Sequence, residues 1–181
     1  MLSMSSEGDM ILDNDELLDL VDEHDRVIGS WSRSAIYREG LRNFRVVNAF
    51  LVNDEGQIWI PRRSASKRIF PLCLDMSVGG HVTSGESYDE AFRRELLEEL
   101  GMHLDEVEWR FLGHLSPHEH NVSAFMRVYE IRSNLEPAFN RDDFIDFYWL
   151  NPKEVLDQLE QGDKGKDDLP KLISRFYQCQ D

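Results

Sequence analysis

Two cysteines, Cys73 and Cys179, are all that 181 residues carry. Two thiols build no disulfide framework, so a reduced, cytoplasmic setting is expected. Cys73 has no motif around it and reads as a small buried apolar residue rather than a nucleophile. Basic residues are also scarce. Lys and Arg number 20 against 35 Asp and Glu, for a formal net charge of −15. No basic stripe runs along the chain, which argues against duplex nucleic acid as a partner. No apolar run approaches the ~20 residues of a bilayer span, so no membrane partner is expected. The stretch MLSMSSEGDMILDNDE is acidic and lacks an apolar core. It reads as neither a signal nor a transit peptide, and residues 1–14 as a mobile tail. Residues 15–181 are expected to form one domain, with an ordinary balance of 41% hydrophobic and 30% charged residues.

What the chain does have is a dense acidic segment, GHVTSGESYDEAFRRELLEELGM, over Gly80 to Met102. Glu95, Glu98 and Glu99 fall at helical offsets of three and four, so they crowd one side of a helix and repel. Short-range carboxylate oxygens suit a hard cation such as Mg²⁺ that also binds substrate phosphates. A solvated Glu-rich face is the plainer reading of those three residues alone. The surrounding signals favour a built site. Ser87 and Glu90 form an S-x-x-E capping box. Ala91, Phe92, Leu96 and Leu100 supply an apolar side, and Gly101 a stop. Upstream, Gly79 and Gly80 follow the apolar run Met76 to Val78 and imply a sharp turn or a close approach to a ligand. An acidic protein that takes an anionic ligand needs a metal or a local basic patch, and Arg62 to Arg68 offers the patch.

The rest reads as alternating elements. Leu17–Val21 and Arg26–Trp31 flank the turn Asp22 to Asp25 as a hairpin. Ser32 to Glu39 reads as a short helix ending at Gly40. Arg45–Val52 is a β-branched strand, turned by Asn53 to Gly56 into Gln57–Pro61. Ser64–Leu74 is a loop, and Met76–Val78 a short strand. Further strands are expected at Glu108–Leu115, Val122–Ile131 and Phe147–Leu150. Helices are expected at Pro152–Gln161, with Asn151 as N-cap, and at Leu169–Gln178. Gly162 to Asp168 reads as a polar linker. The mixed order favours an α/β fold with a mixed sheet between helices.

The motif G-x5-E-x7-R-E-U-x-E-E-x-G-U, with U apolar, resembles the signature of the Nudix hydrolases. Here it reads Gly80, Glu86, Arg94-Glu95-Leu96, Glu98-Glu99 and Gly101-Met102. The resemblance implies a Nudix-type α/β/α sandwich and a loop–helix–loop that binds Mg²⁺ or Mn²⁺. It implies Glu95, Glu98 and Glu99 as metal ligands, with Glu86 and Arg94 orienting the helix. It also implies cleavage of diphosphate linkages in nucleoside diphosphate derivatives. A wider likeness, over Leu17 to Leu159, is to the branch near isopentenyl-diphosphate isomerase. There an R-R-x-x-S-K segment holds the substrate diphosphate. The match is Arg62-Arg63 and Ser66-Lys67, so Arg63 and Lys67 are the implied phosphate contacts. His81 matches a metal-binding histidine of the isomerases, and Gly79 stands where they carry a catalytic cysteine. Val47 replaces one of their upstream metal histidines. The machinery for isomerisation is thus missing, while that for hydrolysis is complete.

The expected function is divalent-metal-dependent hydrolysis of phosphoanhydrides in nucleoside di- or triphosphates or related nucleoside diphosphate derivatives. Alternatives are an isomerase-like enzyme and a non-catalytic nucleotide-binding module. Glu86, Arg94, Glu98 and Glu99 are the expected catalytic set. Arg63, Lys67, Gly79, Gly80 and His81 are expected at the substrate. The general base stays open between Glu98, Glu99 and the loop carboxylates Glu119, Asp142, Asp143 and Asp146. His118 and His120 are weaker metal candidates. Trp31, Phe44, Trp59 and Phe70 are candidates for stacking on a base. A homodimer is compatible with the sequence.

Overall fold

A computed structural model describes residues 15–178. The expected tail over 1–14 lies outside the described residues. The chain opens with a hairpin, β1 (Leu17–Val21) and β2 (Val27–Ser32), and a short helix α1 (Arg33–Arg38). Strands β3 (Arg45–Val52), β4 (Ile58–Arg63) and β5 (Val78–His81) follow. Helix α2 (Tyr88–Leu100) carries the acidic motif, and a 3-10 turn spans Leu104–Glu106. Next come β6 (Glu108–Leu115), a one-turn helix α3 (Pro117–His120), β7 (Phe125–Arg132) and β8 (Phe144–Leu150). Helices α4 (Pro152–Glu160) and α5 (Leu169–Tyr177) close the described chain.

The main sheet runs β6-β7-β3-β4-β8, with β5 paired to β3. It is mixed: β3 and β7 are parallel and the other pairs antiparallel. Alternation along β3 decides the layers. Val47, Ala49 and Leu51 face a core shared with Phe92, Leu96 and Leu100 of α2. Phe50 and Val52 face a second core with Val155 of α4 and Leu172 and Ile173 of α5. A sheet buried on both faces needs helices on both, so the α/β/α sandwich follows from this one strand.

Two details position the site. First, β3 and β4 pair only at Val52↔Ile58 before they diverge. Ser77 bridges the opening: its hydroxyl donates to the Trp59 carbonyl at 2.6 Å and accepts from the Leu51 amide at 2.8 Å. Strand β5 enters the gap beside β3. Second, the expected strand Met76–Val78 is displaced toward Val78–His81, so Gly79 and Gly80 are strand residues rather than a turn. They pair with Asn48 and Val47. Their smallness serves close approach. A Cβ on Gly80 would sit 2.0 Å from Cδ of Glu95.

Candidate active site

Helix α2 is set by local chemistry. The Glu90 amide donates to the Ser87 hydroxyl at 3.2 Å, and the Ser87 amide donates to Glu90 Oε2 at 2.8 Å. Gly101 ends the helix at φ 65°, in the left-handed region. The buried side of α2 presses Glu95 onto the bare backbone of Gly80. Glu95 is 9% exposed. Burial pushes its pKa up to about 7, against the pull of Arg94. Glu99 accepts a hydrogen bond from the Gly79 amide at 2.9 Å. Desolvation raises its pKa well above the usual carboxylate range, and Glu95 and Asp75 add to the rise. Glu98 faces solvent.

Arg94 organises this face. It grips Glu86 with two donors at 2.9 and 3.0 Å and reaches the His81 carbonyl at 2.9 Å. Its Nη1 also donates to Glu95 at 2.6 Å and to Glu98 at 3.3 Å. Burial alone would raise the Glu86 pKa; its bonds to Arg94 and Thr83 outweigh that and lower it. Glu86 is therefore held ionised as the anchor of Arg94, and Arg94 joins the loop to the helix.

The opposing wall is basic. Strand β4 runs on to Arg63, two residues beyond the expected strand end. Arg63 donates to Asp75 at 2.7 Å and to the carbonyls of Ile69 and Phe70 at 3.0 Å. It thereby holds a loop in which Phe70 (φ 53°) and Leu72 (φ 61°) adopt left-handed backbone. Lys67 pairs with Asp143. A third cation, Lys166, reaches Asp75 Oδ1 at 3.3 Å. It comes from the segment expected to be a polar linker. That segment is bonded into the fold: the Lys166 amide donates to the Leu74 carbonyl at 2.9 Å, and the Leu74 amide to the Lys164 carbonyl at 2.7 Å.

One cavity of about 560 Å³ joins the two walls. Arg63, Lys67, Gly79, Gly80, His81, Arg94, Glu95, Glu98 and Glu99 all line it, whereas Glu86 stands behind Arg94. Of the loop carboxylates only Asp143 lines it; Glu119, Asp142 and Asp146 do not. His120 accepts from the Ser116 amide at 3.0 Å and so helps close α3. Among the aromatic candidates, Phe44 and Phe70 line the cavity, while Trp59 is fully buried core and Trp31 lies elsewhere on β2. His81 is wedged beside Tyr37 and Phe44, both at 5.8 Å between ring centroids. Burial, with Arg33, Lys166 and Arg94 nearby, pushes its pKa down to about 3, so its ring is neutral.

Among the described residues, no three His, Cys, Asp or Glu side chains converge on one point that would hold a metal ion. Glu95 and Glu98 are turned to Arg94, and Glu99 to Gly79. The donor set still suits a hard divalent cation. The three α2 carboxylates line one cavity, and burial and mutual repulsion raise two of their pKa values. A bound cation would favour their ionised forms.

A mixed sheet between helical layers, with an acidic helix facing a lysine–arginine wall, defines an α/β enzyme domain built for a polyanionic ligand. Comparison with known proteins makes this specific. Residues 42–172 match the NUDIX domain family. A Nudix hydrolase of Nostoc sp. strain PCC 7120 is 57% identical, covering 90% of this chain and 96% of that one. The crystal structure of DR0079 from Deinococcus radiodurans superposes with a TM-score of 0.86. It is 49% identical and covers 90% of this chain and 100% of that one. An isopentenyl-diphosphate Delta-isomerase of Photorhabdus laumondii is 30% identical, over 76% of this chain and 78% of its own length. The chain belongs to the Nudix family and is a Nudix hydrolase, a pyrophosphohydrolase acting on a small phosphate-containing molecule.

Proposed function

We propose that this enzyme hydrolyses a phosphoanhydride bond of a nucleoside di- or triphosphate, or of a related nucleoside diphosphate derivative, with Mg²⁺ or Mn²⁺. The observation that carries the reading is the shared cavity, where motif carboxylates meet Arg63, Lys67 and Lys166. Glu95, Glu98 and Glu99 would hold the cation. When bound, it supplies charge neutralisation and an activated water. The protein's own share is positioning and electrostatics. Arg63, already fixed by three acceptors, presents its remaining N–H groups along a planar fork; Lys67 and Lys166 act as point charges. Glu86 and Arg94 keep the carboxylates in register. Of the candidate general bases, Glu98, Glu99 and Asp143 line the cavity. Isomerisation is disfavoured because Gly79 carries no thiol at the position of the isomerase cysteine.

The test is a panel of nucleotides, nucleotide sugars, dinucleoside polyphosphates and prenyl diphosphates, each with Mg²⁺ or Mn²⁺, with products identified. Metal-dependent cleavage of nucleotides is expected. Turnover of isopentenyl diphosphate to its isomer, with no phosphate released from any nucleotide, would reverse the reading.

A further inference from the structure

The cavity is also lined by residues outside the acidic helix and the Arg63–Lys67 wall. Helix α1 supplies Arg33 and Tyr37 to its wall, and Glu16 lies beside them. Helix α1 precedes residue 42, where the family match begins. Tyr37 is 42% exposed despite its size. Its hydroxyl hydrogen-bonds His81 Nε2 at 2.9 Å, and buried Phe44 props its ring from 5.7 Å. The Arg33 guanidinium lies 5.9 Å from the Tyr37 ring centroid and bonds Glu16 at 3.4 Å. Hydrogen bond and ring contacts thus fix the Tyr37 ring in place, with much of its surface left uncovered.

Resting on the nucleotide reading above, we infer that Tyr37 is a specificity-determining residue that stacks on a planar heteroaromatic ring, with Arg33 and Glu16 reading its edge. The charge layout assigns the ends. Phosphates belong with Arg63, Lys67 and Lys166, which bring three cations to one wall, whereas at α1 the charge of Arg33 is offset by its partner Glu16. A hydrocarbon chain placed there would cover Glu16 and Arg33 without satisfying them, which costs free energy. A nucleobase offers donors and acceptors at its edge and a π-face for Tyr37. The cavity is within the size range of sites that enclose whole small molecules, larger than a diphosphate alone requires.

The experiment measures dissociation constants, on the metal-loaded protein, for a nucleoside diphosphate, isopentenyl diphosphate and inorganic pyrophosphate. Tyr37→Ala is expected to weaken the nucleoside diphosphate about ten- to a hundredfold. It should leave both ringless ligands within about twofold, and Tyr37→Phe should stay near wild type. Equal weakening of all three ligands, an unchanged nucleoside diphosphate, or a wild type that prefers isopentenyl diphosphate would overturn the inference. Tight, Tyr37-dependent nucleoside binding without phosphate release would instead overturn the hydrolytic reading and leave the subsite standing.

Discussion

Gly80 has room for a hydrogen and nothing more, because the Glu95 carboxyl occupies the space of a side chain. Gly80→Ala is expected to push Glu95 out of register. The cost should be about 1–3 kcal/mol of stability together with most of the metal-dependent activity. Urea unfolding and phosphate release measure the two losses separately. Glu95 also sets a pH dependence in metal-free protein. Its carboxyl titrates near 4.5 when unfolded and near 7 when folded. Between those values the folded state holds a proton that the unfolded state has lost. The stabilisation is therefore complete below pH 4.5 and is lost as pH rises through 7, amounting to roughly 3 kcal/mol at most. Unfolding in chelator should show higher stability at pH 5 than at pH 8, and Glu95→Gln should flatten that difference. A wild-type curve parallel to the variant's would contradict the burial of this carboxylate.

At the scale of elements, Lys166 shows what a linear reading misses. Its loop is tied to Leu74 by backbone bonds, and Leu74 bridges Gly165, a pairing across about ninety residues of chain. Nothing local signals it, so Gly162 to Asp168 reads as a linker. Lys166→Ala is expected to lower kcat/KM about ten- to a hundredfold, the worth of one charged hydrogen bond to phosphate, while the fold stays intact by circular dichroism. The reach of β5 beyond Val78 is hidden for the same reason, since glycines disfavour strands and only the register with β3 makes Gly79 and Gly80 part of one. Helix α2 was legible in full because its start and stop are local: Ser87, Glu90 and Gly101 act within their own turn. The hairpin, α1 and β3 were likewise legible from turn residues and alternation. Motif spacing exposed the acidic face and the Arg63–Lys67 wall. It did not expose Tyr37, whose place depends on how α1 packs against His81 and Phe44.

Across the whole molecule, a net charge of −15 opposes an anionic substrate; the cavity sets Arg33, Arg63, Lys67, Arg94 and Lys166 against its carboxylates, and a bound cation would tip that balance. On the proposed metal role of the α2 carboxylates, the same arrangement would couple a cation to stability. A cation that binds only the folded state at a hundred times its Kd contributes about 2.7 kcal/mol. In a chain of this size that raises Tm by roughly 5–10 °C. Mn²⁺ should produce such a shift in wild type and lose most of it in Glu95→Gln. The most direct measurement is phosphate release by Glu98→Gln under saturating Mg²⁺, from whichever substrate of the proposed panel the wild type cleaves fastest. Glu98 is exposed and supports no core packing, so in chelator the variant should melt as wild type does. Turnover is expected to fall by orders of magnitude. Release at the wild-type rate would contradict the claim that the carboxylates of α2 hold the metal against the diphosphate.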